Sequence, residues 1–271
     1  MEKLNRLGWA EGLTTVAFGF RIGIRTNAPE YLPDLLDRFP PGWRASKSRN
    51  AQWLYSLFSR PSRANPEKVF HQLHTGPDLL TRGTDFPRIR DAFGTDLQVT
   101  LALGSPWRYF IHAGAVGWRG QAIILPGDAG TGKTRLTMAL VRAGATLFSD
   151  EFAVLDRAGR VHPYPLPLRV KREGDFGSER IDVEAIGGAP ARRPLPLGLL
   201  LSTRFDPAGP GRLTALSPGR AALELMAHAV QARVRPDRVM EAAGKATRGA
   251  LALKGRRGEA EEMVDRVLSL W

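Results

Sequence analysis

One stretch of eight residues limits what this chain can fold into more than any other feature. It matches the phosphate-binding pattern G-x-x-x-x-G-K-[ST] at every position, and its sequence is Gly127-Asp128-Ala129-Gly130-Thr131-Gly132-Lys133-Thr134. In such a loop, glycines allow backbone N–H groups to point at phosphate oxygens, and a following helix adds its positive end. Lys133 is then expected to contact the outer phosphates of ATP, and Thr134 to offer its hydroxyl to Mg²⁺.

The sequence around the loop predicts the elements that such a motif requires. The apolar run Gln121–Leu125 predicts a strand before the loop, and Lys133–Arg142 predicts a helix after it. The apolar run Ala145–Phe148 predicts a second strand, which is followed directly by Asp150 and Glu151. Carboxylates at a strand end face the edge of the sheet where ligands bind in open α/β folds. We therefore expect this acid pair in the site, although two solvated acids in a turn would look the same in sequence.

Composition narrows the class of protein. The 271 residues are 43% hydrophobic and 24% charged, which is typical of a folded globular chain. The chain contains no cysteine, so thiolate catalysis and thiolate metal sites are excluded. No apolar run approaches the length of a membrane span and the start lacks the pattern of a signal peptide, so a cytoplasmic protein without a membrane partner is expected. The net charge of +12 is spread along the chain rather than gathered in blocks, which argues against a nucleic-acid partner.

The first third of the chain reads as a separate mixed unit. Alternating apolar residues predict one strand over Thr15–Arg25, and a further strand is expected over Trp53–Phe58. Helical spacing of apolar residues predicts a helix over Asp85–Leu103. We place the boundary between residues 84 and 85, with substrate docking as a hypothesis for residues 1–84. Towards the carboxyl end, Leu197–Thr203 is the last strand that the pattern predicts.

His112 enters the site through a resemblance. Considered alone, a histidine between apolar neighbours is more often a packing residue than a catalyst. Together with the loop Gly127–Thr134, the run Arg142-Ala143-Gly144 and the run Ser149-Asp150-Glu151, however, it gives an order and spacing that resembles the HPr serine kinase family and HPr-kinase-like proteins.

The resemblance implies an α/β fold with a P-loop nucleotide-binding core similar to HPr kinase and phosphoenolpyruvate carboxykinase, with a mixed sheet and a small N-terminal α+β elaboration. It makes residues 85–271 a kinase domain that uses ATP and Mg²⁺ to phosphorylate a serine of a peptide or small protein. Glu151 would be the base that accepts the hydroxyl proton, Asp150 would lie at the metal with Thr134, and His112 would be an active-site residue. A homo-oligomer is implied in the same way.

The chain also departs from the family. The usual pair is two aspartates, whereas Glu151 is one methylene longer. The signature that carries a second metal-binding glutamate in full HPr kinase/phosphorylases is not found, which argues against phosphorylase activity and against HPr as the substrate. Arg169, Lys171 and Arg204 are candidates for neutralising transferred phosphate, and each could equally be a surface charge.

Three other functions remain open at this point. A kinase of the same fold could act on a free amino acid or sugar. A nucleotide-hydrolysing switch could use the same loop, although the N-K-x-D guanine-recognition motif is missing and the ABC-like run Leu216–Arg220 precedes no acid-ended strand. A module that binds nucleotide without turnover is the third, and it is disfavoured by the intact Lys133, Thr134 and acid pair.

Overall fold

A computed structural model describes residues 6–128, 130–171, 178–209 and 212–271. The chain divides into two compact units, Met1–Pro106 and Trp107–Trp271. Both contain a sheet with parallel and antiparallel strand pairs and helices packed on it, so the protein is of the mixed α/β class. Among the described residues, no helix is both long enough and apolar enough to cross a bilayer.

The first unit is a six-stranded sheet covered on one face by helices. Its strands are β1 (Glu11–Ala17), β2 (Phe20–Thr26), β3 (Arg44–Ala45), β4 (Trp53–Pro61), β5 (Val69–Thr75) and β6 (Asp78–Gly83), in the spatial order β3-β1-β2-β4-β5-β6. Only β2 and β4 pair in parallel. The helices are α1 (Leu32–Leu36) and α2 (Phe86–Gly104). The side chains of Ile22, Ile24, Leu57, Phe93 and Leu97 lie in its buried core.

The predicted single strand over Thr15–Arg25 is wrong, because this segment is the hairpin of β1 and β2. Phe18 and Gly19 both have positive φ, 51° and 79°, and form its two-residue turn. Such a turn matches the twist of the paired strands, and glycine adopts it without strain. The alternation of apolar residues continues through the turn, which is why the pattern alone did not show the break.

The boundary between the units lies after α2, at Pro106, rather than before it at residue 84. The helix begins at Asp85, whose carboxylate accepts a hydrogen bond from the backbone N–H of Arg88. It buries Ile89, Phe93 and Leu97 against the first sheet. Because that apolar stripe is covered by the N-terminal strands, the helix belongs to the first unit.

The second unit is built on an eight-stranded sheet. Its strands are β7 (Tyr109–Trp118), β8 (Gln121–Pro126), β9 (Thr146–Ser149), β10 (Phe152–Leu155), β11 (Val161–His162), β14 (Leu197–Phe205), β15 (Thr214–Ala215) and β16 (Leu251–Arg257). The spatial order is β11-β10-β7-β8-β14-β16-β15, with β9 also pairing with β7. Strands β8, β14 and β16 are parallel, so their carboxyl ends lie at one edge. A separate hairpin joins β12 (Leu168–Lys171) and β13 (Ser178–Ile181).

Helices cover both faces of this sheet. They are α3 (Lys133–Arg142), α4 (Pro218–Ala227), α5 (Pro236–Thr247) and α6 (Ala260–Leu268). One apolar cluster contains Leu140 of α3 and Met263 of α6, and the other contains Leu225 of α4 and Val239 of α5. The strand β8, at the centre of the sheet, therefore leads into a loop and helix whose positions are fixed by packing.

The sequence pattern does not predict strand β16 or helix α5. The last strand that it predicts is Leu197–Thr203. The sequence of β16 has three apolar residues followed by Lys254, Gly255, Arg256 and Arg257, and the glycine and the charged residues weaken its strand signal. Hydrogen bonding to β14 stabilises β16 as a strand, although its own sequence does not predict one.

A partly buried hydrogen-bond network in the first unit gives a stability prediction. The hydroxyl of the fully buried Tyr55 donates to Asp96 Oδ2 at 2.6 Å and lies 2.9 Å from Thr100 Oγ1. We expect Tyr55→Phe to lower the free energy of unfolding by roughly 1.5–3 kcal/mol, because a hydrogen bond to a charged group is lost in the core. Urea unfolding followed by circular dichroism measures the change.

Tyr31→Phe is the matched control. The ring of Tyr31 packs on Phe86 and His71, but its hydroxyl has no hydrogen-bond partner among the described residues. Its unfolding free energy should change by less than about 0.5 kcal/mol. Equal losses in the two variants would show that the Tyr55 hydrogen bonds do not stabilise the unit.

Candidate active site

The glycine loop connects β8 to α3 at the centre of the second sheet. Strand β8 ends at Pro126, and α3 begins at Lys133. Gly130 and Gly132 have φ of 85° and 83°, a region in which side chains other than glycine are strained. The loop is also closed on itself, because Thr131 Oγ1 donates to the carbonyl of Asp128 at 2.8 Å. Ala129, predicted to bind nucleotide, lies outside the described residues.

Lys133 folds back into the curve of the loop. Its ammonium group donates to the carbonyl oxygens of Gly127 at 2.6 Å and Asp128 at 2.9 Å. Burial lowers the pKa of this lysine, and the carboxylates of Asp150, Glu151 and Asp128 oppose that shift. The structure thus places a partly desolvated cation against the backbone carbonyls of the loop.

The buried Asp150 and the partly buried Thr134 form a pair beside the lysine. Thr134 Oγ1 donates to Asp150 Oδ2 at 2.9 Å. The other carboxylate oxygen, Oδ1, is buried without a hydrogen-bond partner in the described part of the chain. Burial raises the pKa of Asp150 to about 6, Glu151 adds to the shift, and Thr134 and Lys133 reduce it. An uncompensated carboxylate oxygen at this depth costs folding free energy, which is typical of a position kept for binding a cation.

Glu151 follows at the bend between β9 and β10. The hydroxyl of Ser149 accepts hydrogen bonds from the backbone N–H groups of Glu151 and Phe152, at 3.2 and 2.9 Å, and so fixes the bend. The carboxylate of Glu151 is only partly buried and has no hydrogen-bond partner among the described residues. It is close enough to raise the pKa values of both Lys133 and His112. Glu151 therefore offers a free proton acceptor at the rim of the site.

His112 lies on β7, directly opposite Phe152 on β10. Its Nε2 atom is 3.4 Å from the ammonium nitrogen of Lys133. Burial lowers the pKa of His112, and the charge of Lys133 lowers it further, so the imidazole is neutral at pH 7. Its backbone N–H donates to the carbonyl of His228 at 2.8 Å.

The described members of the predicted site thus lie together around the loop, although their roles remain predictions. No protein-family model matches this chain, and a search of curated proteins gives no significant match. The chemistry of the site is therefore inferred from its geometry.

Three basic residues had been candidates for neutralising phosphate. The backbone N–H of Arg169 stabilises the carboxylate of Asp150. Arg204 is exposed and lies opposite Arg256 in the parallel pair of β14 and β16. The side chain of Lys171 is outside the described part of the structure. Arg169 is thus linked to the acid pair through its backbone.

A polar cluster next to the loop was missed by sequence reasoning. Glu224 of α4 accepts hydrogen bonds from Ser202 Oγ at 2.6 Å and Lys254 Nζ at 2.7 Å. Burial alone would raise the pKa of Glu224, but these two donors outweigh it and hold the pKa below its usual value. His228 lies between Glu224 Oε1, at 3.9 Å, and Asp128 Oδ1, at 3.7 Å. The cluster joins residues far apart in sequence, and no local pattern indicates it.

Arg257 was also missed, although it is among the largest fully buried side chains. Its Nη2 atom donates to the carbonyl of Gly132 at 2.7 Å, and its Nη1 atom donates to the carbonyl of Gly258 at 2.8 Å. A Cβ atom on Gly132 would collide with this guanidinium group. Arg257 thus fixes the position of the last loop residue before α3.

The residues present fit a magnesium ion that is shared with phosphates. Thr134 and Asp150 supply one hydroxyl and one carboxylate with a free oxygen. The described residues contain no group of three or more histidine, aspartate or glutamate side chains that could hold a metal. Mg²⁺ commonly binds through one or two protein oxygens and completes its shell with water and substrate phosphates. Two protein ligands are enough for that arrangement.

The raised pKa of Asp150 predicts how stability changes with pH. The pKa is about 6 in the fold and 3.8 for an unperturbed group, so the folded state binds this proton more tightly. The group therefore lowers the free energy of unfolding as pH rises from about 4 to 6, by up to about 3 kcal/mol. Asp150→Asn should remove this loss and be more stable than the wild type at pH 7.5. Urea unfolding at pH 4 and 7.5 measures the difference, and an equal difference at both values would contradict the assignment.

Arg257→Leu tests the anchoring of the loop. The buried carbonyl of Gly258 loses a donor and the carbonyl of Gly132 keeps only the backbone N–H of Leu136, so we expect the free energy of unfolding to fall by roughly 2–4 kcal/mol. The control is Arg256→Leu on the same strand. The side chain of Arg256 is 71% exposed and pairs with Asp206 at the surface, so a much smaller change is expected. Equal effects in thermal unfolding of the two variants would mean that the contact with Gly132 does not stabilise the fold.

Proposed function

We propose that this protein is an ATP-dependent, magnesium-requiring kinase that transfers the γ-phosphoryl group to a serine hydroxyl of a peptide or small protein. The observation that carries the proposal is the meeting of Lys133, the Thr134–Asp150 pair, Glu151 and His112 at one glycine loop. The second unit would then have a P-loop nucleotide-binding core similar to that of HPr kinase and phosphoenolpyruvate carboxykinase.

The phosphate donor is the ligand for which this loop is best suited. The loop ends at the N-terminus of α3, so backbone N–H groups and the helix dipole favour an anion there. The ammonium group of Lys133 exchanges the carbonyls of Gly127 and Asp128 for the β and γ phosphates of ATP. The lysine gains a charge-assisted hydrogen bond by this exchange, because the phosphates are negatively charged and the carbonyls are neutral.

A magnesium ion would balance the negative charges of Asp150 and of the phosphates. Thr134 and Asp150 would hold Mg²⁺, which neutralises charge on the β and γ phosphates when bound. Binding of a cation also favours the ionised form of Asp150 and so opposes the effect of its burial. The unpartnered Oδ1 atom of Asp150 is the ligand atom that the fold leaves available.

Glu151 activates the acceptor. Its carboxylate takes the proton of the serine hydroxyl as the hydroxyl oxygen bonds to the γ phosphorus, and the bond to the bridging oxygen of ADP breaks. Neutral His112 lies 3.4 Å from the ammonium nitrogen of Lys133 and helps to orient this lysine near the transferred phosphoryl group. Most of the rate enhancement in such a site comes from positioning and charge neutralisation.

Transfer of labelled γ-phosphate tests the proposal. Purified protein is given ATP and Mg²⁺ with a panel of serine-containing peptides and small proteins, and with free serine and a free sugar. Label on a peptide or protein serine is expected with the wild type. Lys133→Ala and Glu151→Gln should each lower the rate by roughly 100-fold or more, since each removes a group that acts in the transition state.

Two further variants, Glu151→Asp and Glu241→Gln, test whether the carboxylate of Glu151 is the group that matters. Aspartate keeps the carboxylate and is the residue of the resembling kinases, so Glu151→Asp should retain more activity than Glu151→Gln. Glu241 is an exposed residue of α5 paired with Lys245, and its replacement should leave the rate unchanged. Label on free serine or sugar alone would favour a small-molecule kinase, and release of phosphate without any labelled acceptor would favour a hydrolytic switch.

A further inference from the structure

The first unit contains a large groove on the sheet face that α2 does not cover. Its volume is about 1000 Å³, and β1, β2, β4 and the segment 46–52 line it. Strand pairing puts Thr14, Gly23 and Leu54 in one row across this face. The side chains of Ala51 and Leu54 pack over Gly23, where an added Cβ would lie 3.0 Å from both. The groove is therefore part of the folded sheet.

The charge of the groove has one sign. Among its lining residues are Arg25, Lys47 and Arg49, and none is an aspartate or glutamate. Lys47 and Arg49 are exposed and form no ion pair in the described part of the chain. Glu11 lies on β1 nearby, but strand alternation turns it to the opposite face from Gly12. A ligand in this groove thus meets positive charge without a compensating acid among the described lining residues, which favours an anionic partner.

An open strand edge borders the same groove. Strand β3 pairs with β1 only at Thr15 and Val16, and the backbone N–H of Ser46 adds one hydrogen bond to Thr14. Glu11–Leu13 consequently has no partner strand on that edge within the described residues. Gly12 and Leu13 both line the groove. Unpaired strand edges are sites where an extended peptide can add as a further strand.

We propose that this groove binds an acidic peptide in extended conformation, which pairs with the free edge of β1 and places carboxylates against Lys47 and Arg49. Leu54, in the same row as Thr14 and Gly23, supplies an apolar contact for side chains between the acids. The open edge favours a polypeptide over other polyanions, because only a peptide backbone can continue the hydrogen-bonding pattern of a sheet. Peptide binding in this groove requires no phosphoryl transfer and is therefore tested without nucleotide.

Fluorescence anisotropy with the full chain tests the proposal. The probe is a short labelled peptide that alternates glutamate and valine, compared with the same peptide carrying glutamine in place of glutamate. We expect saturable binding of the glutamate peptide that weakens with salt, and at least about tenfold weaker binding of the glutamine peptide. Lys47→Glu/Arg49→Glu should weaken binding of the glutamate peptide by about tenfold or more.

Arg63→Glu/Arg88→Glu is the matched control, because it changes the net charge equally at exposed residues of the same unit that do not line the groove. It should bind the glutamate peptide as the wild type does. Equal weakening in the two double variants, or no saturable binding to the wild type, would overturn the proposal.

Two N-methylated peptides test strand addition. Each carries methyl groups on alternate backbone nitrogens, in one phase or the other, and only one phase blocks the amides that face β1. One of the two should lose binding and the other should retain it. Unchanged binding of both would overturn pairing with β1. Binding of a thymidine oligonucleotide as tightly as the glutamate peptide, with the same loss in Lys47→Glu/Arg49→Glu, would instead assign the groove to nucleic acid.

Discussion

The carbonyl of Gly132 accepts a hydrogen bond from Arg257, and the geometry of the candidate site depends on this contact. Gly132 is the last residue before α3, so its position sets where the helix begins and where Lys133 and Thr134 point. The guanidinium group is held by packing between the loop and the ring of Phe205, whose centroid is 5.6 Å from Arg257 Cζ. Fixing one end of a loop in this way lowers the entropy that a bound ligand would otherwise have to remove.

The fold also keeps charges inside the site at a cost. Asp150 is buried with an oxygen that lacks a donor, and Lys133 donates to carbonyls although carboxylates lie near it. Burial shifts the pKa of each group towards its neutral form. Such groups destabilise the empty site and gain most when oppositely charged ligands arrive. This electrostatic state suits the proposed use of ATP and Mg²⁺, because a triphosphate and a divalent cation supply the missing partners of the lysine and the aspartate.

In the first unit, the two faces of the sheet differ in what covers them. One face of its sheet is closed by α2 through apolar packing. The other carries a cationic groove beside the edge of β1, which has no partner strand at Glu11–Leu13 within the described part of the chain. Sheet edges are usually paired, covered or charged, since open ones associate with other strands. An open edge next to exposed Lys47 and Arg49 therefore fits a surface kept for an acidic extended partner.

Much of the second unit was readable from sequence because its signals are local. The loop Gly127–Thr134 and the helix Lys133–Arg142 each depend on a short pattern of glycines or apolar residues, and the structure has the helix at the predicted bounds. The acid pair was placed correctly at a strand end for the same reason. The hairpin at Phe18 and Gly19 was missed because apolar alternation continued through its turn, where two positive φ angles reverse the chain.

The sequence by itself determined which residues could hold a phosphate and which acids would follow a buried strand. Only the tertiary structure decided that Arg257 anchors the loop, that Glu224 and His228 lie beside Asp128, and that a cationic groove meets a free edge of β1. The physical reason is that these contacts join segments separated by many residues. They depend on which strands become neighbours in the sheet, and no local pattern of side chains contains that information.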